Sequence, residues 1–192
     1  GNNIICGPEQ VVGSVGDESR DGGERRKCLM LCAHIDTVSP SEDYNFNPYS
    51  PDYQEAAKII GQVSGRAMGE EDFVAGIGSN DDGGSVVAML AAYWYFMENP
   101  EECATDLLLV LSCEEERSGK GGMTGLWEDL KGKVDYAIIG EPTGMRAATS
   151  ERGLLVIDAV AEGISGHAAR NEGVNALYIA LEDIEAIRRH KF

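Results

Sequence analysis

Three predominantly apolar runs along the chain predict three buried β-strands: Leu29–Ala33, Thr105–Ser112 and Val134–Ile139. Each run has the length of a strand and is followed by polar or turn-forming residues. Two segments between these runs have helical character, Gly84–Met97 and Gly119–Lys133. Because Gly84–Met97 is apolar almost all round, it predicts a buried helix and not an amphipathic surface helix.

The alternation of strands and helices predicts an α/β fold, in which a mostly parallel sheet carries helices on both faces. Additional short strands are expected at Asn3–Cys6 and Gln10–Val15, near the start of the chain. The segment Gln54–Gly69 fits either a helix or a strand.

The pattern changes after Ser150. Leu154–Ala161 alternates like a strand with one polar face, and Ala176–Ile187 is an amphipathic helix. We therefore expect one domain over residues 1–149 and the beginning of a smaller α+β domain over residues 150–192.

Metal-binding residue types follow each of the three buried strands. His34 follows the first, Glu114–Glu116 the second and Glu141 the third. In α/β sheets ligands bind beyond the carboxyl ends of the parallel strands, so we expect these side chains to meet there. Asp36 lies on the same side of an extended chain as His34, and its carboxylate could accept the second ring N–H of the imidazole.

A glycine-rich segment, Gly76–Gly84, carries Asp81 and Asp82 to the start of the first long helix. The N-terminus of that helix would point at the same crevice. Each acidic group also has a simpler explanation. Asp81 and Asp82 could cap the helix, the three glutamates could form a solvated loop, and His34 could be a hydrogen-bonded histidine at a strand end.

Together, however, these placements favour a cation site. One histidine with several carboxylates suits zinc, and two metal ions sharing a carboxylate would neutralise the acidic cluster. Such a site acidifies water, and a neighbouring carboxylate can take the proton, which gives hydrolysis of an amide.

Composition narrows the choice of partners. The formal net charge of −17 argues against nucleic acid and anionic membranes, which both require a basic surface. The sequence has no apolar stretch long enough for a membrane span and opens with no signal sequence, so we expect a cytoplasmic protein. The five cysteines lack paired C-x-x-C spacing, which argues against disulfides and thiolate zinc sites.

Five motifs occur in an order that resembles the M20 metallopeptidase and deacylase family. They are H-x-D at His34–Asp36, G-x-G-S-N-D-D-G-G at Gly76–Gly84, the glutamate triplet, G-E-P-T at Gly140–Thr143, and G-x-x-G-H-A at Gly163–Ala168. The resemblance runs from about Leu29 to the end of the chain. Within the family the chain is most similar to acetylornithine deacetylases, with succinyl-diaminopimelate desuccinylases and carboxypeptidases close by.

The resemblance implies a role for each matching residue. His34 and Glu141 would hold one zinc ion, Asp81 would bridge two, and Glu116 would hold the second. Glu115 would be the general base, Asp36 would support His34, and Glu114 would occupy the acidic position before the glutamate pair. His167 would polarise the scissile carbonyl from a lid or dimerisation domain. Cobalt could replace zinc, and the peptide bond after Asp81 would be cis.

The resemblance also implies the reaction, removal of an N-acyl group from an amino acid or peptide, with N-acetylornithine of arginine biosynthesis as the leading substrate. The alternatives are a desuccinylase, a dipeptidase or carboxypeptidase, and a binding domain without catalysis. A homodimer is expected. The family's last zinc-binding histidine has no counterpart before Phe192, so we expect a fragment that binds one metal better than two and has little activity. Asp82-Gly83 replaces the Met-Lys of many members.

Overall fold

The structure is a computed structural model that describes residues 2–8, 25–150, 152–170 and 172–190. The chain forms two compact units, which divide between Ala147 and Ala148.

The first unit is built on a four-stranded sheet with strand order β1-β3-β2-β4. The strands are β1 (Ile4–Cys6), β2 (Cys28–His34), β3 (Asp106–Ser112) and β4 (Tyr136–Ile139). β2 pairs in parallel with both β3 and β4, whereas β1 pairs antiparallel with β3. This confirms the predicted mostly parallel sheet. The strand predicted at Gln10–Val15 lies outside the described residues.

The helices are α1 (Tyr53–Ser64), α2 (Gly83–Glu98), α3 (Met123–Leu130) and α4 (Ala176–Arg189), with short 3₁₀ turns at Pro100–Glu102 and Ala168–Arg170. The segment Gln54–Gly69, whose sequence fitted either a helix or a strand, contains most of α1 and is therefore helical. The Asp52 carboxylate accepts hydrogen bonds from the first backbone N–H groups, and Gly65 ends the helix with a φ of 71°. No helix in the described ranges combines the length and the apolar character that crossing a membrane requires.

Alternate residues of the central strands build a hydrophobic core on each face of the sheet. On one face Cys28, Met30, Cys32, Leu108 and Val110 pack with Leu130 of α3. On the other face Leu31, Ala33, Leu109 and Leu111 pack with Met89 of α2. The prediction of helices on both faces is therefore confirmed, and the alternation explains why β2 and β3 are continuous apolar runs.

Two predictions of burial are wrong. α2 buries Met89 but leaves its outer side exposed, with Trp94 64% accessible, because only one side of the helix contacts β2 and β3. β4 is also exposed, with Ile139 67% accessible. It is an edge strand that pairs with β2 alone among the described strands, so continuous apolar sequence indicated the strand but not its burial.

The second unit lacks the strand predicted at Leu154–Ala161. These residues are largely exposed, and the one backbone bridge described in this unit joins Ile164 to Val174. A strand needs a partner to bond its backbone, and alternation alone does not supply one. The predicted amphipathic helix is present as α4, where Asn175 accepts from the N–H of Leu177.

Asp135 ties the beginnings of β2 and β4 together. Its carboxylate accepts the backbone N–H of Cys28 at 2.8 Å, and it pairs with Arg25 at 2.9 Å and Lys27 at 3.1 Å. The hydrogen bond from Cys28, aided by the positive charges of Lys27 and Arg25, holds the pKa of Asp135 below its ordinary value of 3.8.

We expect Asp135→Asn to lower the free energy of unfolding at neutral pH. A carboxylate whose pKa is lowered by folding stabilises the protein above its unfolded pKa, and loses that effect as the pH falls through the folded value. The deficit of the variant should therefore shrink at acid pH. Urea unfolding at pH 7 and at acid pH measures it, with Asp129→Asn, an exposed carboxylate of α3, as control. An equal deficit at both pH values would contradict the charge-based explanation.

Candidate metal centre

The ends of three parallel strands come together at one edge of the sheet. β2 and β3 end in register, with His34 paired to Ser112. β4 ends two residues earlier, with Ile139 paired to Cys32, and the N–H of Gly140 continues the ladder by donating to the carbonyl of Cys32 at 2.8 Å. The residues that follow these strands therefore converge, as the sequence predicted.

Glycines let the loop before α2 approach the same edge closely. Gly78 has a φ of +74°, and a Cβ on it would lie 2.5 Å from Cγ2 of Thr37, beyond the end of β2. A Cβ on Gly140 would lie 2.4 Å from the Cβ of Ser85, in the first turn of α2. These close contacts bring Asp81 beside the end of β2, and the peptide bond from Asp81 to Asp82 is cis, as predicted.

The imidazole of His34 is held at both ring nitrogens. Nδ1 lies 2.9 Å from the backbone carbonyl oxygen of Asp36, and Nε2 lies 2.9 Å from Oδ1 of Asp81. The side chain is only 3% exposed. A carbonyl oxygen can only accept, so Nδ1 must carry a hydrogen.

This arrangement leaves Nε2 in conflict with Asp81 unless a positive charge is present. In the neutral tautomer with hydrogen on Nδ1, Nε2 offers a lone pair, which faces the carboxylate oxygen of Asp81. Either a second proton on the ring or a cation shared by the two atoms removes the repulsion. Imidazole nitrogen and carboxylate oxygen are both zinc ligands, so the contact fits a metal ion.

The same surroundings act on the pKa of His34. Burial lowers it, but hydrogen bonds to the Asp36 carbonyl and to Asp81 raise it. The nearby charges of Asp82 and Glu115 raise it further, and the pKa lies above its ordinary value of 6.5. The negative field that favours a proton on this ring would equally favour a metal cation.

The carboxylate of Asp36 does not do what the sequence predicted. Its Oδ1 lies 3.7 Å from Nδ1 of His34, beyond hydrogen-bond distance, because the backbone carbonyl of Asp36 takes that contact. The two carboxylate oxygens instead accept the backbone N–H groups of Glu115 at 3.1 Å and Glu116 at 3.2 Å. Asp36 therefore fixes the acidic loop after β3 relative to the end of β2.

Glu114 makes contacts that differ from those of Glu115 and Glu116. Its backbone has a φ of 60°, and its carboxylate accepts from the N–H of Gly121 and from Arg117, both at 3.0 Å. The hydrogen bond from Gly121 and the charge of Arg117 hold the pKa of Glu114 below its ordinary value. Glu114 thus braces its own loop, and its charge is matched locally.

Five of the predicted site residues do converge. Ligand atoms of His34, Asp81 and Glu116 all lie within 4.8 Å of one another, and so do ligand atoms of His34, Glu115 and Glu141. His34 belongs to both groups, which makes it the centre of the cluster. The grouping of Glu115 with Glu141 means that Glu115 is placed either to bind a metal or to act on a water beside it.

The carboxylates of this cluster repel one another. Partial desolvation raises the pKa of Glu141, and the charges of Glu115, Asp82 and Asp81 raise it further, while His34 opposes them. Across the described ranges, the ion pairs of the cluster carboxylates involve His34 and no lysine or arginine. A divalent cation is the group that this donor set fits.

Asp82 has a role that the sequence analysis missed. It was considered as a helix cap, but its side chain makes no cap hydrogen bond. Its Oδ2 instead accepts the backbone N–H of His34 at 3.1 Å, and the residue is 1% exposed. The one signal in the sequence was the departure from Met-Lys at Asp82-Gly83.

Burial and the charges of Asp82 and Glu141 raise the pKa of the nearby Cys32 to about 11, so this thiol stays neutral.

His167 lies in the second unit, exposed, and its Nδ1 accepts the backbone N–H of Ala169 at 3.2 Å. That contact is the local turn hydrogen bond of a loop histidine. All five cysteines are free thiols in the structure.

Residues 30–151 match the family described as peptidase family M20/M25/M40. The chain is 30% identical over 140 residues to a probable carboxypeptidase of Aspergillus clavatus, covering 72% of this chain and 31% of the relative. It is 32% identical over 149 residues to a probable carboxypeptidase of Ajellomyces capsulatus, covering 76% and 30%. It is 29% identical over 153 residues to a succinyl-diaminopimelate desuccinylase of Verminephrobacter eiseniae, covering 74% and 34%. The chain therefore spans about a third of the length of these relatives.

We expect Asp36→Asn to loosen the loop after β3. An asparagine offers one acceptor oxygen in place of two, so one of the N–H groups of Glu115 and Glu116 loses its partner, at a cost of about 1 kcal/mol. Amide hydrogen exchange at these two residues should accelerate roughly fivefold. The matched control, Asp43→Asn, removes an exposed carboxylate. Unchanged exchange at both amides would contradict the bracing role of Asp36.

Proposed function

The chain belongs to peptidase family M20/M25/M40, and from that premise we propose that the full-length protein is a two-metal amidohydrolase. Its substrate is an N-acylated amino acid or short peptide, and its products are the free amine and a carboxylic acid. Members of the family generally use a dinuclear metal site, and the possible ligands present here fit one.

The observation that carries this proposal is the contact of His34 Nε2 with Asp81 Oδ1 at 2.9 Å. With hydrogen on Nδ1, these two atoms stay together favourably only around a positive charge. Glu116 and Glu141 bring further carboxylate oxygens to His34. Such a convergence of ligands costs stability through mutual repulsion unless cations are bound.

We assign the roles of the residues as follows. His34 and Glu141 would hold one zinc ion, Asp81 would be shared between that ion and a second one, and Glu116 would bind the second ion. When bound, the ions supply Lewis acidity that lowers the pKa of water and polarises the substrate carbonyl. Cobalt, which accepts the same ligands, is the substitute ion for spectroscopic work.

Glu115 is the proposed general base. Its backbone N–H donates to Oδ1 of Asp36 at 3.1 Å. Its carboxylate groups with His34 and Glu141, and not with the ligand atoms of His34, Asp81 and Glu116. A carboxylate in that position accepts a proton from the attacking water and returns it to the leaving amine. His167 is the proposed donor of a hydrogen bond to the scissile carbonyl.

Three substrates are candidates. N-acetylornithine is the leading prediction of the motif resemblance. The relatives named above favour a C-terminal peptide bond or succinyl-diaminopimelate, because they are named carboxypeptidase and succinyl-diaminopimelate desuccinylase.

We expect Glu115→Gln to lower kcat of the zinc-loaded full-length protein by about 10²- to 10⁴-fold, the range for losing a general base. The amide of glutamine is close in size to the carboxylate but cannot take the proton. Zinc affinity, measured by calorimetry, should stay within a few-fold of the original. Glu101→Gln, on an exposed glutamate of the 3₁₀ turn, is the control.

Two outcomes would count against this assignment. A parallel loss of zinc affinity and activity would make Glu115 a metal ligand. Undiminished hydrolysis would remove it from the chemistry.

Turnover of N-acetylornithine, succinyl-diaminopimelate and a blocked dipeptide by the zinc-loaded full-length protein tests the substrate class. We expect one of them to be hydrolysed with a kcat/KM at least tenfold above the others, because each differs in the group that the site must recognise. Binding of zinc without hydrolysis of any of the three compounds would support the alternative hypothesis, a binding domain without catalysis, and would contradict the proposal of an amidohydrolase.

A further inference from the structure

Asp82 is a buried acid, and one of its two carboxylate oxygens has no hydrogen-bond partner among the described residues. The residue is 1% exposed, and its Oδ1 is the one buried side-chain oxygen or nitrogen in the described ranges that has no hydrogen-bond partner. Buried polar atoms nearly always have a partner, and an unpaired buried charge is expensive. An aspartate in this position therefore needs an explanation.

The other carboxylate oxygen connects two elements of the metal centre. Oδ2 accepts the backbone N–H of His34 at 3.1 Å, across 48 residues of chain. His34 is the last residue of β2, and Asp82 directly precedes α2. The bond therefore fixes the backbone of His34 to the segment that carries Asp81, whose carboxylate faces the imidazole of His34.

The charge of Asp82 acts on the same site. Asp82 directly follows Asp81 in the chain, and its Oδ2 lies 3.1 Å from the backbone nitrogen of His34, so its carboxylate lies beside two of the proposed ligands. In the part of the chain that the structure describes, no lysine or arginine forms an ion pair with Asp82.

We propose that Asp82 is a positioning residue of the metal centre: it holds His34 in the geometry for metal binding and adds a buried negative charge whose partner is the bound cation. This inference rests on the proposed function, since it requires a metal at His34. Asp82 touches neither substrate nor reacting atoms, and it acts through His34. The buried acid increases the affinity for the cation at the expense of the stability of the metal-free protein.

Two variants separate the hydrogen bond from the charge. Asp82→Asn keeps an oxygen that can accept the N–H of His34 but removes the charge, whereas Asp82→Ala removes both. Asp43→Asn removes one exposed negative charge elsewhere and controls for the net charge of the protein. Each variant is titrated with Co²⁺ and followed by visible absorption, and each metal-free protein is unfolded by heat.

The proposal predicts effects of opposite sign on affinity and stability. The dissociation constant for Co²⁺ should rise roughly tenfold in Asp82→Asn and up to about 100-fold in Asp82→Ala, the range for groups that orient metal ligands. The absorption bands of bound Co²⁺ should shift in Asp82→Ala, because His34 is no longer fixed. Metal-free Asp82→Asn should unfold at a temperature no lower than the original, because a neutral amide is cheaper to bury than a charge.

Several results would overturn the proposal. Unchanged Co²⁺ affinity and spectrum in both variants would make Asp82 a structural residue only. Failure of Asp82→Asn to fold, or a lower unfolding temperature without metal, would show that the carboxylate serves the fold. Failure of the original protein to bind Co²⁺ would instead reject the proposed function itself, so the two failures are distinguishable.

Discussion

The parallel pairing of β2 with β3 and with β4 is the constraint on which the site depends. Parallel strands that pair in register end at the same edge of a sheet, and the side chains beyond them have to share the space there. Hydrophobic residues on both faces of β2 and β3 fix that register, because a slip of one residue would exchange the two cores. The core therefore places His34 near Glu116 and Glu141, although no attraction exists among the carboxylates themselves.

Folding thus brings like charges together, and the site resolves the repulsion unequally. Glu114 is matched within its own loop by Arg117 and the N–H of Gly121. Asp36 is matched by two backbone N–H groups. Glu141 and Asp81 keep their charges directed at His34, and no lysine or arginine among the described residues pairs with them. A site that neutralises its supporting acids and leaves its convergent ones unmatched is organised for a cation.

The sequence correctly predicted the features that depend on long hydrophobic patterns. Continuous apolar runs marked β2 and β3, and the glycines and acids that follow them marked the edge where ligands gather. The same signals failed where a neighbour decides the outcome. β4 is exposed because it is an outer strand of the sheet, the outer side of α2 has no contact with the sheet, and Leu154–Ala161 has no partner strand among the described residues of its unit. Hydrophobicity predicts that a residue can be buried, but contacts between distant segments decide whether it is.

The hydrogen bonds that set the geometry of His34 were beyond prediction for a related reason. The sequence suggested that the Asp36 side chain orients the imidazole, yet the backbone carbonyl at position 36 makes that contact. Any residue at position 36 would supply a carbonyl, so the need for an aspartate there comes from the amides of Glu115 and Glu116, 79 and 80 positions away. A short motif can therefore identify an important residue while its local spacing suggests the wrong partner, because the true partner is set by the register of the sheet.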